Sequence, residues 1–166
     1  MNQQEEQFKQ VYDANFSRII RLCMGYMGGD QQAAKELTQE VFVKVWENWH
    51  RFRGESSMDT WIYRIAINTC LVSLRKKKPF VKNYELEIAS NTEEVDVEED
   101  KAQKLKQMYA CINSLSETNK AIIMLELEGK PQKEIAEIMG LKHEAVRTRV
   151  HRIKDKLTKC IQNDGF

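Results

Sequence analysis

The sequence contains few residues that interrupt helices. Its 166 residues include only two prolines and seven glycines. The strict alternation of apolar and polar residues that marks half-buried strands is almost absent, whereas apolar residues often recur at three- and four-residue steps. These features favour an all-α fold, and the length suffices for one modest core or two small ones.

Several features that would indicate other functions are also missing. The four cysteines, at positions 23, 70, 111 and 160, stand singly, with no CxxC pair and no histidine at metal-ligand spacing. We therefore expect no metal site, no disulfide framework and buried thiols. No catalytic nucleophile has a neighbouring base, and no glycine loop could bind phosphate, so we expect neither an enzyme nor a cofactor. The polar, acidic N-terminus resembles no secretion signal, which predicts a cytoplasmic protein without direct membrane insertion.

Charge is distributed unevenly along a chain whose formal net charge is only +1. Eight acidic residues and no basic one lie in 84–100, directly after a basic cluster at 75–78. Such a stretch is typical of a solvated spacer, although a specific binding motif is an alternative. We predict two small helical domains, at 1–79 and 104–166, joined by an acidic linker at 80–103.

The C-terminal part has the pattern of a helix-turn-helix. Gly129 suits the end of one helix, Pro131 the first turn of the next, and Gly140 its termination. After that turn, 142–159 contains seven Lys or Arg against two acidic residues, and its apolar residues define one buried face. The other face would present Arg147, Thr148, Arg149, His151 and Arg152 to DNA. A basic helical hairpin without a nucleic-acid role is the alternative.

The N-terminal half begins with two amphipathic helices, the first ending near Gly28 and the second, at about 31–49, capped by Asp30. On the second helix Phe42 and Trp46 lie about a quarter-turn from the apolar face, beside acidic and amide groups at Glu36, Gln39 and Glu40. This arrangement fits a partner-binding surface. It fits equally well a core face that the two aromatic residues widen.

The third helical segment, 58–72, contains Trp61 and Tyr63 next to Arg64, and the basic cluster at 75–78 follows it. Rings that stack on bases and cations that follow the phosphates are the components of a single-strand binding site. Asn68 adds an amide that both donates and accepts hydrogen bonds and so could read a flipped base. Trp61 has apolar neighbours, and we interpret it as structural.

Three blocks, 36–46, 52–68 and 115–157, together resemble the bacterial sigma factors, specifically the small extracytoplasmic function (ECF) group of the sigma-70 family. The resemblance implies a non-enzymatic initiation factor that binds core RNA polymerase, through the β′ clamp and β subunits, and recognises and melts promoter DNA. It also implies an anti-sigma factor as a partner. The implied polymerase contacts are Glu36, Gln39, Glu40, Phe42 and Trp46. The implied contacts to the melted downstream element are Arg64, Asn68, Thr69, Val72, Arg75 and Lys76. Arg147, Thr148, Arg149 and Arg152 of the last helix occupy the family's upstream-element positions.

This chain departs from the family pattern at the start of the last helix. It has His143 and Glu144 where many relatives have small residues, and a carboxylate near phosphates would repel them. The preferred promoter sequence therefore does not follow from the resemblance. A conventional helix-turn-helix regulator that binds duplex operator DNA remains the alternative, but it assigns no role to the second and third helices.

Overall fold

The computed structural model describes residues 1–77 and 97–164, and within these ranges it contains helices and no strand. The all-α prediction is therefore confirmed. The helices are α1 Gln3–Tyr26, α2 Gln31–Glu47, a short 3-10 turn Trp49–Arg51, α3 Met58–Lys77, α4 Val97–Asn113, α5 Glu117–Leu127, α6 Gln132–Met139 and α7 His143–Asp164.

Local sequence signals set the ends of these helices. The Asp30 carboxylate accepts a hydrogen bond from the Ala33 amide at 3.1 Å, as predicted for the start of α2. At the start of α5 the Ser116 hydroxyl accepts from the Asn119 amide in the same way, at 3.3 Å. Gly140 ends α6 with a left-handed backbone, at φ 67°. A side chain is strained in that conformation, so the tight turn into α7 requires glycine.

The N-terminal half is a three-helix unit in which α2 packs on both α1 and α3. Its core is made of aliphatic residues that recur at helical spacing, including Ile19, Leu22, Val41 and Ile62, all fully buried. Aromatic rings extend this core between α1 and α2, where Tyr12 lies 4.6 Å from Phe42, centroid to centroid. The geometry of α2 and α3 is thus fixed by a continuous apolar interior.

The C-terminal half packs α4, α5 and α6 against the long helix α7. The predicted apolar face of α7 is confirmed, because Val146, Val150 and Ile153 are buried while the residues between them are exposed. Ile135 and Ala136 are also buried, and they belong to α6, which packs on both α5 and α7. The helix-turn-helix thus presents the opposite, basic face of α7 to solvent.

The cysteines correct one sequence prediction. Cys111 of α4 and Cys160 of α7 form a disulfide, with a Cα–Cα distance of 6.0 Å and 49 residues of sequence separation. The expectation of four free thiols is therefore wrong for this pair, because helix packing brings together residues that no spacing rule connects. Cys23 and Cys70 are free and buried, as expected, with their sulfurs 3.9 Å apart.

The predicted acidic linker lies only partly within the described residues. Its last part, 97–103, forms the first two turns of α4, whereas 80–96 lies outside the described residues. Acidic residues Glu98, Glu99 and Asp100 occupy the first turn of α4, where they interact favourably with the helix dipole. The domain boundaries at 79 and 104 remain predictions.

The two halves of the chain pack against each other. Helix α3 contacts α6, and α1 contacts both α4 and α5. Gly25 of α1 allows the closest approach, because a Cβ at this position would overlap the end of the Met124 side chain. The buried residues of both halves consequently form one continuous cluster.

Candidate polymerase and DNA interfaces

The exposed face of α7 carries the five residues predicted to contact duplex DNA. Arg147, Thr148, Arg149, His151 and Arg152 are all exposed. Two of them already have partners within the C-terminal half. The Arg149 guanidinium donates to the Asn119 side chain at 3.0 Å, and the Thr148 hydroxyl donates to the Glu144 carbonyl at 3.1 Å. Among the residues that the structure describes, Arg147, His151 and Arg152 have no such hydrogen bond, so these three are better placed to contact a DNA groove.

A stripe on α3 brings together most of the predicted single-strand contacts. Arg64, Asn68, Val72 and Arg75 are spaced by four, four and three residues, so they lie along one face, and all four are exposed. Lys76 is exposed next to Arg75. We call Arg64, Asn68, Val72 and Arg75 the α3 stripe. Thr69 differs, because it is buried and its hydroxyl donates to the Ile65 carbonyl at 2.7 Å.

A cavity of about 290 Å³ lies between α2 and α3, beside the middle of the stripe. Trp61 forms one wall, and its ring is held by Phe52 at 5.2 Å and Trp49 at 6.5 Å between centroids. Trp61 thus has the structural role interpreted from the sequence, but that role does not occupy the whole ring, because Trp61 is only partly buried and also lines the cavity. The lining residues are Lys44, Asn48, Arg51, Trp61, Ile65, Asn68, Thr69 and Val72.

Three of the residues that line this cavity were not identified from the sequence. Lys44, Asn48 and Arg51 come from the end of α2 and the 3-10 turn, and they bring two cations and a second amide to the site. The Asn48 amide is held by a 2.8 Å hydrogen bond to the Lys44 carbonyl. The only sequence signal for them is a cluster of polar and basic residues just after an apolar helix, a pattern that many solvated helix ends share.

The predicted polymerase surface on α2 is largely exposed. Glu36, Gln39 and Glu40 face solvent, and Trp46 is 39% exposed while its ring contacts Phe8 edge-on at 5.1 Å. Val43, which was not predicted as a contact, lies on the same helix and is 54% exposed. The sequence feature that could have identified it is an apolar residue on the polar side of α2.

The structure corrects the prediction that Phe42 contacts polymerase. It is 3% exposed and packs on Tyr12 and Phe16 of α1. A side chain in that position cannot meet a partner directly, so Phe42 widens the core and supports the surface from beneath. Of the two interpretations that the sequence left open, the core interpretation holds for Phe42, whereas Trp46 is available to a partner.

The junction between the halves carries the strongest electrostatic perturbations. Lys120 of α5 is buried, with its ammonium 5.0 Å from the Tyr26 ring centroid, and burial lowers the pKa of Lys120 to about 8. Burial also raises the pKa of Tyr63 to about 12, and the Lys130 ammonium lies 4.6 Å from that ring centroid. Both ammonium groups therefore lie against rings of the N-terminal half, Tyr26 of α1 and Tyr63 of α3, where the two halves meet.

Neither a metal site nor a membrane-spanning helix is found among the described residues. In 1–77 and 97–164 no group of three or more His, Cys, Asp or Glu is arranged to hold a metal ion. Across the same ranges, no helix combines the length and the apolar character needed to cross a bilayer.

The fold and these surfaces define a DNA-binding protein with two all-helical modules, one of them a helix-turn-helix. Family models for sigma-70 region 2 and sigma-70 region 4 match residues 11–80 and 105–157, respectively. The chain is 33% identical to the ECF RNA polymerase sigma-E factor of Haemophilus influenzae over 141 residues, which cover 76% of this chain and 74% of that protein. It is 31% identical to the RNA polymerase sigma-H factor of Pseudomonas aeruginosa over 157 residues, covering 87% and 81%.

Two solved structures share the fold. CnrH, in complex with the cytosolic domain of CnrY, superposes with a TM-score of 0.73 at 19% identity and covers 96% of this chain and 90% of that one. The sigma factor RpoE from Bartonella quintana, in complex with the anti-sigma factor NepR, gives 0.69 at 19% identity, covering 95% and 98%.

The chain belongs to the ECF group of the sigma-70 family. It is thus a sigma factor, a transcription initiation factor that acts with core RNA polymerase at promoters, and it is not an enzyme. The prediction made from the three sequence blocks is confirmed, and the alternative of a conventional duplex-binding regulator is not supported.

Proposed function

We propose that each of the three surfaces described above has its own role in transcription initiation. The exposed part of α2 around Gln39 and Trp46 binds core polymerase, the α3 stripe and its cavity hold the melted downstream strand, and the basic face of α7 reads the upstream element. The observation that carries this proposal is the cavity, because it joins an aromatic wall, two cations and the exposed amide of Asn68 at one place.

The cavity has the chemistry that a flipped base requires. Extruding a base from a duplex costs a few kcal/mol, and stacking on an aromatic ring returns about 1–3 kcal/mol per base. Asn68 can donate to and accept from the edge of that base, while Lys44 and Arg51 can pair with the adjacent phosphates. Strand opening then draws on binding energy and needs no hydrolysis, in keeping with a protein that is not an enzyme.

We further propose that the protein is cytoplasmic and that an anti-sigma factor regulates it. A cytoplasmic location follows because the protein acts with core polymerase on chromosomal DNA. The structural relative RpoE is in complex with the anti-sigma factor NepR, and we propose that an anti-sigma factor also regulates this chain by covering its polymerase-binding surface.

Holoenzyme assembly tests the polymerase surface. The double variant Gln39→Ala/Trp46→Ala is expected to weaken binding to purified core polymerase about tenfold or more, since a partly exposed tryptophan is a typical binding hot spot. Affinity is measured by fluorescence anisotropy of labelled protein. Asp13→Ala/Ser17→Ala, which changes two exposed residues of α1 outside this surface, is the matched control. Equal affinity of both double variants would remove α2 from the interface.

Promoter opening tests the cavity separately from duplex recognition. Asn68→Ala is expected to reduce open-complex formation by the holoenzyme about tenfold, because it removes the base-edge hydrogen bonds while leaving core binding intact. Permanganate reactivity of unpaired thymines reports the melted strand on a promoter selected in vitro.

Arg152→Ala provides the converse control for that experiment. It should weaken binding to the closed promoter and should lose discrimination between the selected upstream element and a scrambled one. Once bound, the Arg152→Ala holoenzyme should melt DNA normally. If Asn68→Ala melts promoters like the unaltered protein, the cavity does not hold a base.

A further inference from the structure

A disulfide joins the end of α7 to α4 in a region where the described residues provide little apolar packing. The Gln107 side chain of α4 donates to the Ile161 carbonyl of α7 at 3.1 Å, but the Ile161 side chain is exposed, and Leu157 is only partly buried. The first half of α7, by contrast, is anchored by its buried apolar face. The Cys111–Cys160 bond is therefore the main link at this end of the helix pair.

Helix α4 has little core of its own. Its residues 98–106 are exposed, and burial is complete only near its end, at Cys111 and Ile112. Segments with few buried apolar contacts open locally at a small free-energy cost. When the bond is broken, we expect the first turns of α4 and the last turns of α7 to separate, while the helix-turn-helix stays folded around its own core.

The disulfide is unexpected in the compartment proposed above for this protein. Thiol pools keep most cytoplasmic cysteines reduced, and disulfides that do form there are usually transient and either catalytic or redox-sensing. A catalytic role does not apply, because the protein is not an enzyme. The bond is also accessible from one side, since Cys160 is partly exposed whereas Cys111 is 1% exposed. These features indicate a bond that forms and breaks while the protein is in use.

We propose that the Cys111–Cys160 pair is a redox switch that, when oxidised, tightens the binding of α7 to upstream promoter DNA. The proposal rests on the function proposed above for the exposed face of α7. That helix is continuous from Arg147 to Cys160, so a cross-link between its far end and α4 fixes the direction of its DNA-reading end. A binding element that is already ordered loses less conformational entropy on binding and therefore binds more tightly.

The switch takes hydrogen peroxide as its oxidant and a small thiol as its reductant. In oxidation the Cys160 thiolate attacks one peroxide oxygen, the O–O bond breaks, and a sulfenic acid forms at Cys160 with release of water. The Cys111 thiol then attacks that sulfur, so that the S–S bond forms and the sulfenic oxygen leaves as a second water molecule. Two thiols thereby lose two electrons and two protons to the peroxide.

Reduction begins at the accessible sulfur. A small thiolate attacks Cys160, the S–S bond breaks, and Cys111 leaves and takes up a proton as a thiol. A second small thiol then attacks the mixed disulfide, releases Cys160 as a thiol, and departs with the first as an oxidised small disulfide. The two electrons therefore come from two molecules of the small thiol.

Reversibility is measured in the full-length protein without any substitution. The protein is equilibrated in glutathione buffers that run from reduced to oxidised, quenched with acid and alkylated, and peptide mass spectrometry then gives the oxidised fraction of the pair. We expect Cys111 and Cys160 to interconvert between thiols and disulfide across this range, and hydrogen peroxide to oxidise the reduced protein. A bond that persists in the most reducing buffer would be a permanent structural link and would overturn the switch, as would thiols that survive peroxide.

Binding of the holoenzyme to a closed promoter, selected in vitro, tests the effect on DNA. Reduction is expected to weaken binding about three- to tenfold, because part of the binding free energy then goes into ordering α7. Hydrogen exchange should become faster in the first turns of α4 and the last turns of α7. Faster exchange without weaker binding would overturn the proposal, as would binding and exchange that are both insensitive to reduction.

Two matched variants assign the response to this pair. The Cys111→Ser/Cys160→Ser holoenzyme should bind like the reduced form in every buffer, and any response that it retains measures the redox sensitivity of the polymerase itself. Cys23→Ala/Cys70→Ala changes the other pair of cysteines and should respond like the unaltered protein. An equal response from the serine variant would overturn the switch. Reduction of the unaltered protein needs no substitution, so the test holds even if the serine variant proves unstable.

The same binding assay separates this proposal from the function proposed for α7. In the oxidised holoenzyme, Arg152→Ala should lose discrimination between the selected upstream element and a scrambled one. If it does so while reduction leaves the affinity of the unaltered holoenzyme unchanged, the switch fails and the assignment of α7 stands. If the oxidised Arg152→Ala holoenzyme discriminates normally, the function assigned to α7 fails, and the switch fails with it for that reason.

Discussion

Replacing Cys111 and Cys160 together by alanine is expected to lower the free energy of unfolding of the oxidised protein by about 4 kcal/mol. The bond closes 49 residues of chain between α4 and α7, and closing a loop of that length restricts the unfolded ensemble far more than the folded one. Cys111 is also buried, so removing its sulfur adds a small packing loss. Urea denaturation followed by both circular dichroism and fluorescence measures the difference.

Reduction provides the first control for this prediction. Dithiothreitol should destabilise the unaltered protein by a similar amount and should leave the Cys111→Ala/Cys160→Ala variant unchanged. The variant Cys23→Ala/Cys70→Ala changes the other, free pair of cysteines. It should lose stability through packing alone, and its sensitivity to dithiothreitol should match that of the unaltered protein. If oxidised and reduced protein unfold at the same urea concentration, the disulfide does not contribute as proposed.

The helix ends and the buried face of α7 could be predicted from the sequence, because each is determined by residues that are neighbours along the chain. Asp30 caps α2 through its own side chain, and Gly140 is required by the left-handed backbone at that one position. The buried face of α7 follows from the spacing of Val146, Val150 and Ile153, which the 3.6-residue repeat turns into a single stripe. None of these features depends on where a distant segment packs.

Features that depend on packing between distant segments could not be predicted in the same way. Phe42 and Trp46 differ by only about 40° around α2, and the position of α1 decides that one is buried and the other exposed. The cavity depends on the packing of α2 on α3, so the basic residues Lys44 and Arg51 could not be distinguished in the sequence from those of an ordinary solvated helix end. The Cys111–Cys160 pair likewise depends on the crossing of α4 with α7.

The packing of the two halves against each other could not be predicted from the sequence either. This packing has a free-energy cost at Lys120. This side chain is 5% exposed, and burial lowers its pKa from the ordinary 10.5 to about 8. At neutral pH the folded protein thus holds a charged ammonium in a poorly hydrated position, partly compensated by the Tyr26 ring. An apolar side chain of similar length would fill the same space without that cost.

Lys120→Met is accordingly expected to raise the free energy of unfolding near pH 7 by on the order of 2 kcal/mol. The advantage should diminish as pH rises above 8. Between pH 8 and 10.5 the unfolded chain still binds the Lys120 proton while the folded chain has released it, so the stability of the unaltered protein increases with pH. Methionine does not titrate, so the variant lacks this increase.

Other groups around Lys120 also titrate, and the comparison is designed to cancel them. Tyr26 of α1 and Cys70 of α3 both have a raised pKa, chiefly from burial for Tyr26 and from the hydrogen bond with Cys23 for Cys70, and Glu117 lies on the same helix as Lys120. The raised pKa of Tyr26 reduces stability above about pH 9 in both proteins, so its effect cancels in the difference between them. The Lys120 charge lowers the pKa of Cys70, so any change in the titration of Cys70 on substitution is part of the Lys120 contribution that the difference measures.

Urea denaturation of both proteins at pH 7, 8 and 9 measures this difference. Lys133→Met, at an exposed position of α6, is the control and should shift stability by the same small amount at every pH. A Lys120→Met advantage that stays constant from pH 7 to 9 would show that the Lys120 ammonium is not held at a cost between the two halves. An advantage that falls with pH would show that burial of the Lys120 ammonium beside Tyr26 costs free energy in the folded protein.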